Sequence, residues 1–191
     1  MAVKRVNKAR KAQGKCGNCG KPIEVGDSYV WHQFKFGSKR VRCDSAACYF
    51  KPSELTTSDK LSRLYGAQEN AEGQLDDWSR EDTADLQAIV DEAANEIREV
   101  AEEYRESASN MEEHFPGGCP AIDECNEKGD ECDGWADELD GVDFEEFDPD
   151  SVDIDDDASE EDRQQAIDTA RDDWAEEQID KVRDALGNCP L

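Results

Sequence analysis

Two short-spaced cysteine pairs constrain this chain more than any other feature. Cys16-Gly17-Asn18-Cys19 and Cys43-Asp44-Ser45-Ala46-Ala47-Cys48 close the two ends of a stretch that reads as a β-hairpin. A chain that folds back between two such pairs can deliver four thiolates to one tetrahedral ion, and zinc suits that donor set. The first pair is separated by two residues, inside the knuckle range, and the second by four, at its edge. The competing reading is a disulfide-stapled hairpin, which belongs to oxidising compartments. The first fifteen residues carry six Lys/Arg with no apolar segment after them, so no secretory leader is read here. No apolar run approaches the ~18 residues needed to span a membrane. The expectation is a cytoplasmic protein without a membrane partner, its eight cysteines reduced and used for metal ligation or burial.

Charge divides the chain in two. Residues 1–64 hold 14 Lys+Arg and 5 Asp+Glu, while the remainder holds 8 and 44. A head at +9 therefore sits on a body at −36, which the net charge of −27 conceals. Such asymmetry marks a chain with two jobs. General adaptation to high salt does not account for it, because that would acidify the head as well. With 36% hydrophobic against 37% charged residues, core material is scarce, and an extended helical or partly disordered body is expected.

The head reads as follows. Residues 1–14 form a basic tail without periodicity, in which Lys4, Arg5, Lys8, Arg10 and Lys11, with Lys15 just beyond, suit a phosphate backbone. Residues 15–58 form the zinc module. Gly17 and Gly20 allow the knuckle turn, and Glu24 to Asp27 make another turn. Ser28 to Phe36 read as a strand, with Tyr29, Trp31 and Gln33 on one face and Val30, His32 and Phe34 on the other. Gly37-Ser38 turns the chain, and Lys39 to Arg42 return it into Cys43. The fold class is a small α+β zinc finger, treble-clef or ribbon-like with one β-hairpin, followed by an all-α acidic helical hairpin or bundle. Its cofactor is one structural zinc ion on Cys16, Cys19, Cys43 and Cys48. His32 is the competing ligand, able to replace Cys48. Trp31, Phe34 and Phe36 interleave with Lys35, Lys39, Arg40 and Arg42, a mixture that suits stacking bases and paired phosphates. The plainer reading makes these aromatics the mini-core that a small finger needs.

At this point the chain resembles a known group. The run Lys8 to Cys16, Cys19-Gly20, Gly26-Asp27, the Gly37 turn with Lys39 to Cys43, and Lys51-Pro52-Ser53-Glu54-Leu55-Thr56 are similar to a family of small zinc-finger proteins of tailed bacterial viruses. Ala101 to Ser107 and Trp135 to Leu139 in the acidic body extend the likeness, so that it covers about 130 residues, Lys8 to Leu139. The resemblance implies metal binding by the same four cysteines, a viral origin and so the host cytoplasm; it brings no biochemical activity. The first pair and its turn more loosely resemble the finger of nick-sensing polymerases of ADP-ribose, which uses three cysteines and a histidine. The second pair here lacks that histidine, and nick sensing is not carried over.

The body reads as helices. Residues 59–78 form a connecting helix capped by Thr57 or Ser58, which Gly66 and Gly73 weaken. Residues 79–140 form an antiparallel helical hairpin. Its first arm carries the seam Leu86, Val90, Ala93, Ile97, Val100, Tyr104, Ser107 and Met111, a coiled-coil-like heptad. Pro116-Gly117-Gly118 makes the turn, and the second arm carries Ile122, Cys125, Gly129, Cys132, Ala136 and Leu139. His114, Cys119, Cys125 and Cys132 invite a second metal. However, seven residues of helix hold Cys125 and Cys132 about 10 Å apart, too far for one ion, and burial is the better reading. Residues 141–158 form an acidic linker broken by Phe144, Phe147, Val152 and Ile154, which can dock on the bundle or on a partner. Asp153, Asp155 and Asp157 begin like a calcium loop, but Ala158 and Gln164 stand where glycine and glutamate are required. Residues 159–188 form the last helix, with Ser159 as cap and a stripe of Ile167, Ala170, Trp174, Ile179, Val182 and Leu186.

No nucleophile stands beside a plausible histidine, and no glycine loop suits phosphates, so an enzyme and a small-molecule substrate are not expected. The expectation is a nucleic-acid-binding finger whose acidic body meets a protein. The alternative is an acidic, DNA-mimic-like adaptor in which the finger is only a scaffold.

Overall fold

The computed structural model describes residues 3–155 and 159–189. Asp157 and Ala158, on which the calcium-loop comparison turns, lie outside the described residues, as does Asp156 of the acidic linker. The chain divides into two compact units, Met1–Tyr65 and Gly66–Leu191.

The first unit is built on very short strands. β1 (Lys4–Val6), β4 (Tyr29–His32) and β5 (Arg40–Cys43) form an antiparallel sheet in the order β1-β4-β5. β2 (Gly14–Lys15) and β3 (Pro22–Ile23) form a separate small hairpin around the first cysteine pair. Turns of 3-10 helix follow at Ala46–Cys48 and Pro52–Glu54, before α1 (Asp59–Asp76) begins. Ser58 accepts the amide of Leu61 as the helix cap.

The stretch read as a basic tail belongs to this unit. Its β1 pairs along the edge of β4, with Lys4 opposite Trp31 and Val6 opposite Tyr29. Ala9 is 1% exposed; its amide donates to Asp27 and its carbonyl accepts from Gly26. Ala9 packs with Cys16, Ile23, Tyr29 and Cys48, and Val6, Trp31 and Val41 close over them. The reason is backbone pairing: the strand supplies amides and carbonyls to β4 while the Lys4 and Arg5 side chains stay at the surface, Arg5 beside Asp44 and Lys4 at the Trp31 ring.

Strand alternation sets the two faces of the sheet. Tyr29 lies opposite Cys43 and Trp31 opposite Val41, whereas Val30 lies opposite Arg42 and His32 opposite Arg40. The first set faces Cys16 and Cys48 and the second faces Phe50. β4 stops at His32, short of Phe36, because Gln33 to Lys39 are used as the hairpin loop. There Gly37 donates to the carbonyl of Phe34, and the Gln33 amide donates to the carbonyl of Gly37.

The second unit is a mostly helical body. α2 (Thr83–His114) and α3 (Pro120–Asp140) run antiparallel, since Arg98 meets Asp137 and Asp140 while Arg105 meets Asp130 and Asp133. Asp82 caps α2 by accepting the amide of Ala84. The expected seam is buried from Leu86 to Tyr104, and Ser107 and Met111 are half-buried. A second buried stripe, Ile89, Ala94, Ala101 and Ala108, widens the apolar face of α2. Gly129 marks a close approach of the hairpin: a Cβ there would lie 3.2 Å from Arg105 Cγ and 3.3 Å from the carbonyl oxygen of Ala101. α4 (Glu160–Gly187) is buried from Ala175 to Leu186, and the buried Trp135 indole donates to the carbonyl of Ala185 at 2.9 Å. Part of the acidic stretch after α3 docks on α4. The Glu145 amide donates to Gln178, its carbonyl accepts the Trp174 indole at 2.7 Å, and Phe147 packs on Trp174.

Candidate metal centre

The knuckle is made by the turn between β2 and β3. Gly20 adopts φ +73° and donates to the carbonyl of Cys16, a left-handed turn that glycine enters without steric cost. This brings Cys16 and Cys19 to one side of the loop. β5 delivers Cys43 at its end, and the 3-10 turn Ala46–Cys48 returns Cys48 through the bond from its amide to the carbonyl of Ser45. The Gly17 amide, donating to the carbonyl of Val41, ties the knuckle to β5.

The four sulfurs converge, with all Sγ atoms within 4.8 Å of one another. Cys19 and Cys43 are 3.7 Å apart. A tetrahedral zinc with Zn–S bonds of about 2.3 Å requires sulfur–sulfur edges of about 3.8 Å. Donor type, number and spacing therefore fit a closed four-thiolate site. Cys16 and Cys48 are buried, Cys43 is half-buried and Cys19 is exposed. Asn18 supports the site, a role its sequence position did not announce. Its amide N–H points at Cys16 Sγ at 3.5 Å, and its side-chain Nδ2 reaches Cys48 Sγ at 3.7 Å and the carbonyl of Ala47 at 3.0 Å. Donors of this kind orient metal-bound thiolates.

The thiols share their protons unevenly. Burial pushes the Cys16 thiol up, but the backbone N–H groups of Cys43, Cys19 and Asn18 outweigh it and bring it down to about 6. Burial and the neighbouring Cys48 and Cys19 thiols push Cys43 up to about 12. Four adjacent thiolates repel one another, and a divalent cation at their centre removes that repulsion.

His32 is not placed as a ligand. It projects from the sheet face opposite Cys43, is 1% exposed, and meets Phe34 edge-on at 4.6 Å. Neither of its ring nitrogens finds a hydrogen-bond partner among the described residues. Strand parity accounts for this: Cys43 lies opposite Tyr29, three residues before His32 and so on the other face.

The residues read as nucleic-acid contacts fall into three groups. Lys8, Arg10, Lys11 and Lys15 are exposed. Lys4 and Lys39 hold their ammonium groups 4.9 and 4.7 Å from the centre of the Trp31 ring, and Lys39 lies 5.1 Å from that of Tyr29. Lys35 stands 5.1 Å from the ring centre of Phe36, which is 93% exposed. The third group is committed inside the finger. Arg5 pairs with Asp44 at 2.5 Å, and Arg42 and Arg40 both pair with Glu54 at 2.5 Å. Arg42 is 8% exposed and also donates to the carbonyl of Tyr49, with its guanidinium over Phe50. Burial pushes the Glu54 carboxyl up, but the hydrogen bonds from Arg42, the Lys51 amide and Arg40, with the charge of Arg42, hold it below the usual glutamate range. Glu54 was not singled out from sequence; the Lys51-Pro52-Ser53-Glu54 turn that presents it was the available signal.

Comparison with protein-family models, curated proteins and solved structures finds no match to this chain. No helix among the described residues is long and apolar enough to cross a membrane.

Proposed function

We propose that this chain is a non-enzymatic zinc-finger protein that binds nucleic acid through its basic N-terminal unit and meets a protein partner with its acidic helical body. The observation that carries the reading is the surplus of cations on the finger. Its first 64 residues hold only five carboxylates against 14 Lys/Arg, and Asp44 and Glu54 are already taken by Arg5, Arg40 and Arg42. The exposed lysines are left to attract phosphates, with release of condensed counterions. Four thiolates fill the coordination sphere of zinc, so the ion holds the fold and has no position open for a substrate. The reading contains no reaction and no small-molecule substrate. It places the protein in the cytoplasm, that of an infected host cell if the viral resemblance holds.

The test is titration of the zinc-loaded full chain with single- and double-stranded DNA and RNA across a salt series. Binding whose logarithm falls linearly with log salt is expected. Failure to bind any of them at about 50 mM salt overturns the reading.

One observation favours the second reading, an acidic adaptor that occupies a basic protein surface while the finger serves as scaffold. Arg80, Arg98, Arg105 and Arg183, four of the eight cations after residue 64, each bridge two carboxylates, and the 44 acidic residues there leave the body strongly acidic. Competition of the full chain with DNA for a basic DNA-binding domain tests it; no competition at low salt removes it.

A further inference from the structure

Resting on the nucleic-acid reading above, we propose that the occupant of the β4–β5 hairpin is a single strand, taken without sequence preference. Phe36 is the stacking platform, and Lys4, Lys35 and Lys39 are the phosphate grip.

Phe36 is the starting point. The finger has little apolar material, yet this ring stays 93% exposed at the hairpin tip, and the unit's buried cluster closes without it. An open aromatic ring beside an ammonium group is what a stacked base and its phosphate require. Stacking is sequence-tolerant, because every base has a π-face.

The lysines supply the second observation. Lys4 comes from β1 and Lys39 from the end of the hairpin loop just before β5, distant in sequence, yet both ammonium groups lie at the one Trp31 ring. The register that pairs Lys4 with Trp31 brings them together. Held over rings, these side chains have lost part of their rotamer freedom before any ligand arrives, which lowers the entropic cost of gripping a phosphate.

The third observation weighs against a base-edge code on this hairpin. Duplex readout in the major groove relies above all on the guanidinium fork, bidentate to guanine. The three arginines of the sheet are committed elsewhere: Arg5 to Asp44, and Arg40 and Arg42 to Glu54. What remains at the tip is an aromatic ring and ammonium groups, flexible point charges that grip a backbone and stack a base but lack the planar fork that fixes bidentate edge readout.

The test uses the zinc-loaded full chain and fluorescently labelled oligothymidylate, oligoadenylate and oligouridylate of about twelve nucleotides, with a DNA duplex of the same length. Single strands are expected to bind more tightly than the duplex, with similar affinity among the three sequences. The DNA and RNA arms show which sugar is tolerated. Phe36→Ala, at a fully open position, should weaken single-strand binding about five- to a hundredfold with unchanged zinc content. Lys39→Gln should reduce the salt slope by about 0.7. Tighter binding to the duplex, or single-strand binding untouched by Phe36→Ala, overturns the single-strand proposal while leaving the nucleic-acid reading standing. Absence of binding to every oligonucleotide at low salt overturns both.

Discussion

The finger and the helical body answer one shortage of apolar residues in opposite ways. The finger's strands are two to four residues long, and two members of its small core, Cys16 and Cys48, belong to the four-cysteine cluster that can hold a metal. The body instead spends its apolar residues in long regular stripes. Leu86, Val90, Ile97, Val100, Leu139, Val182 and Leu186 are all fully buried. A unit of about 65 residues with so thin a core is marginal by burial alone and gains most from a covalent or metal staple. A body built on heptad stripes does not, and it can carry its acidic residues on the outside. The cysteine cluster and the apolar stripes therefore mark the two different sources of stability open to the two units.

The sharpest way to break this comparison is to remove the ion. Structural zinc is worth about 10–16 kcal/mol in small fingers at neutral pH. Cys16→Ser or Cys43→Ser, or a strong chelator acting on the parent chain, should collapse the dispersed amide signals of residues 3–58 and leave the helical circular dichroism of the body in place. Dispersed finger signals in a zinc-free variant would refute a structural ion, and simultaneous loss of helix would show that the two units do not fold separately.

The reciprocal experiment is a cavity in the body. Leu139 is fully buried on α3, and Leu139→Ala should cost about 2–5 kcal/mol, read from urea unfolding followed by helical circular dichroism. Zinc content should remain one ion per chain. A variant that lost its zinc would tie the two units together.

The same contrast explains what could be read from sequence. Cysteine spacing, the alternation of Tyr29 and Trp31 with Val30 and His32, and the seam from Leu86 to Tyr104 are periodic signals, and the structure carries them directly. β1 was illegible because a Lys-Arg-Val run with outward charges has no apolar alternation; only its pairing with β4 makes it a strand. Arg40 and Arg42 read as surface cations because their partner Glu54 lies beyond the second cysteine pair, and no local pattern says that the chain folds it back. The second stripe on α2, Ile89 to Ala108, consists largely of alanines, which mark a close approach without raising the hydrophobic signal. The elements that sequence misses are those fixed by tertiary contact.

Glu54 sharpens the comparison at smaller scale. Its carboxyl lies below its ordinary 4.5, so its contribution is complete above that pH and fades as the pH falls through the lowered folded value. At neutral pH, Glu54→Gln therefore removes the whole of it and leaves Arg42, 8% exposed, facing a neutral amide. The expected cost is about 2–3 kcal/mol, seen as faster amide exchange across β4 and β5. Unchanged exchange would show that water replaces the carboxylate and that this pair is ornamental.

Arg98 in the body makes the matching control. It also bridges two carboxylates, Asp137 at 3.0 Å and Asp140 at 2.5 Å, but its side chain is 35% exposed and those of Asp137 and Asp140 are 77% and 43% exposed. The Asp140 and Asp137 hydrogen bonds raise its affinity for its proton, yet solvent screens the pair. Arg98→Ala should cost only about 0.5 kcal/mol, and the difference should shrink as salt is added. A loss as large as that at Glu54 would mean that ion pairs, rather than buried stripes, hold the body, and the division between the two units would fail at its weakest joint.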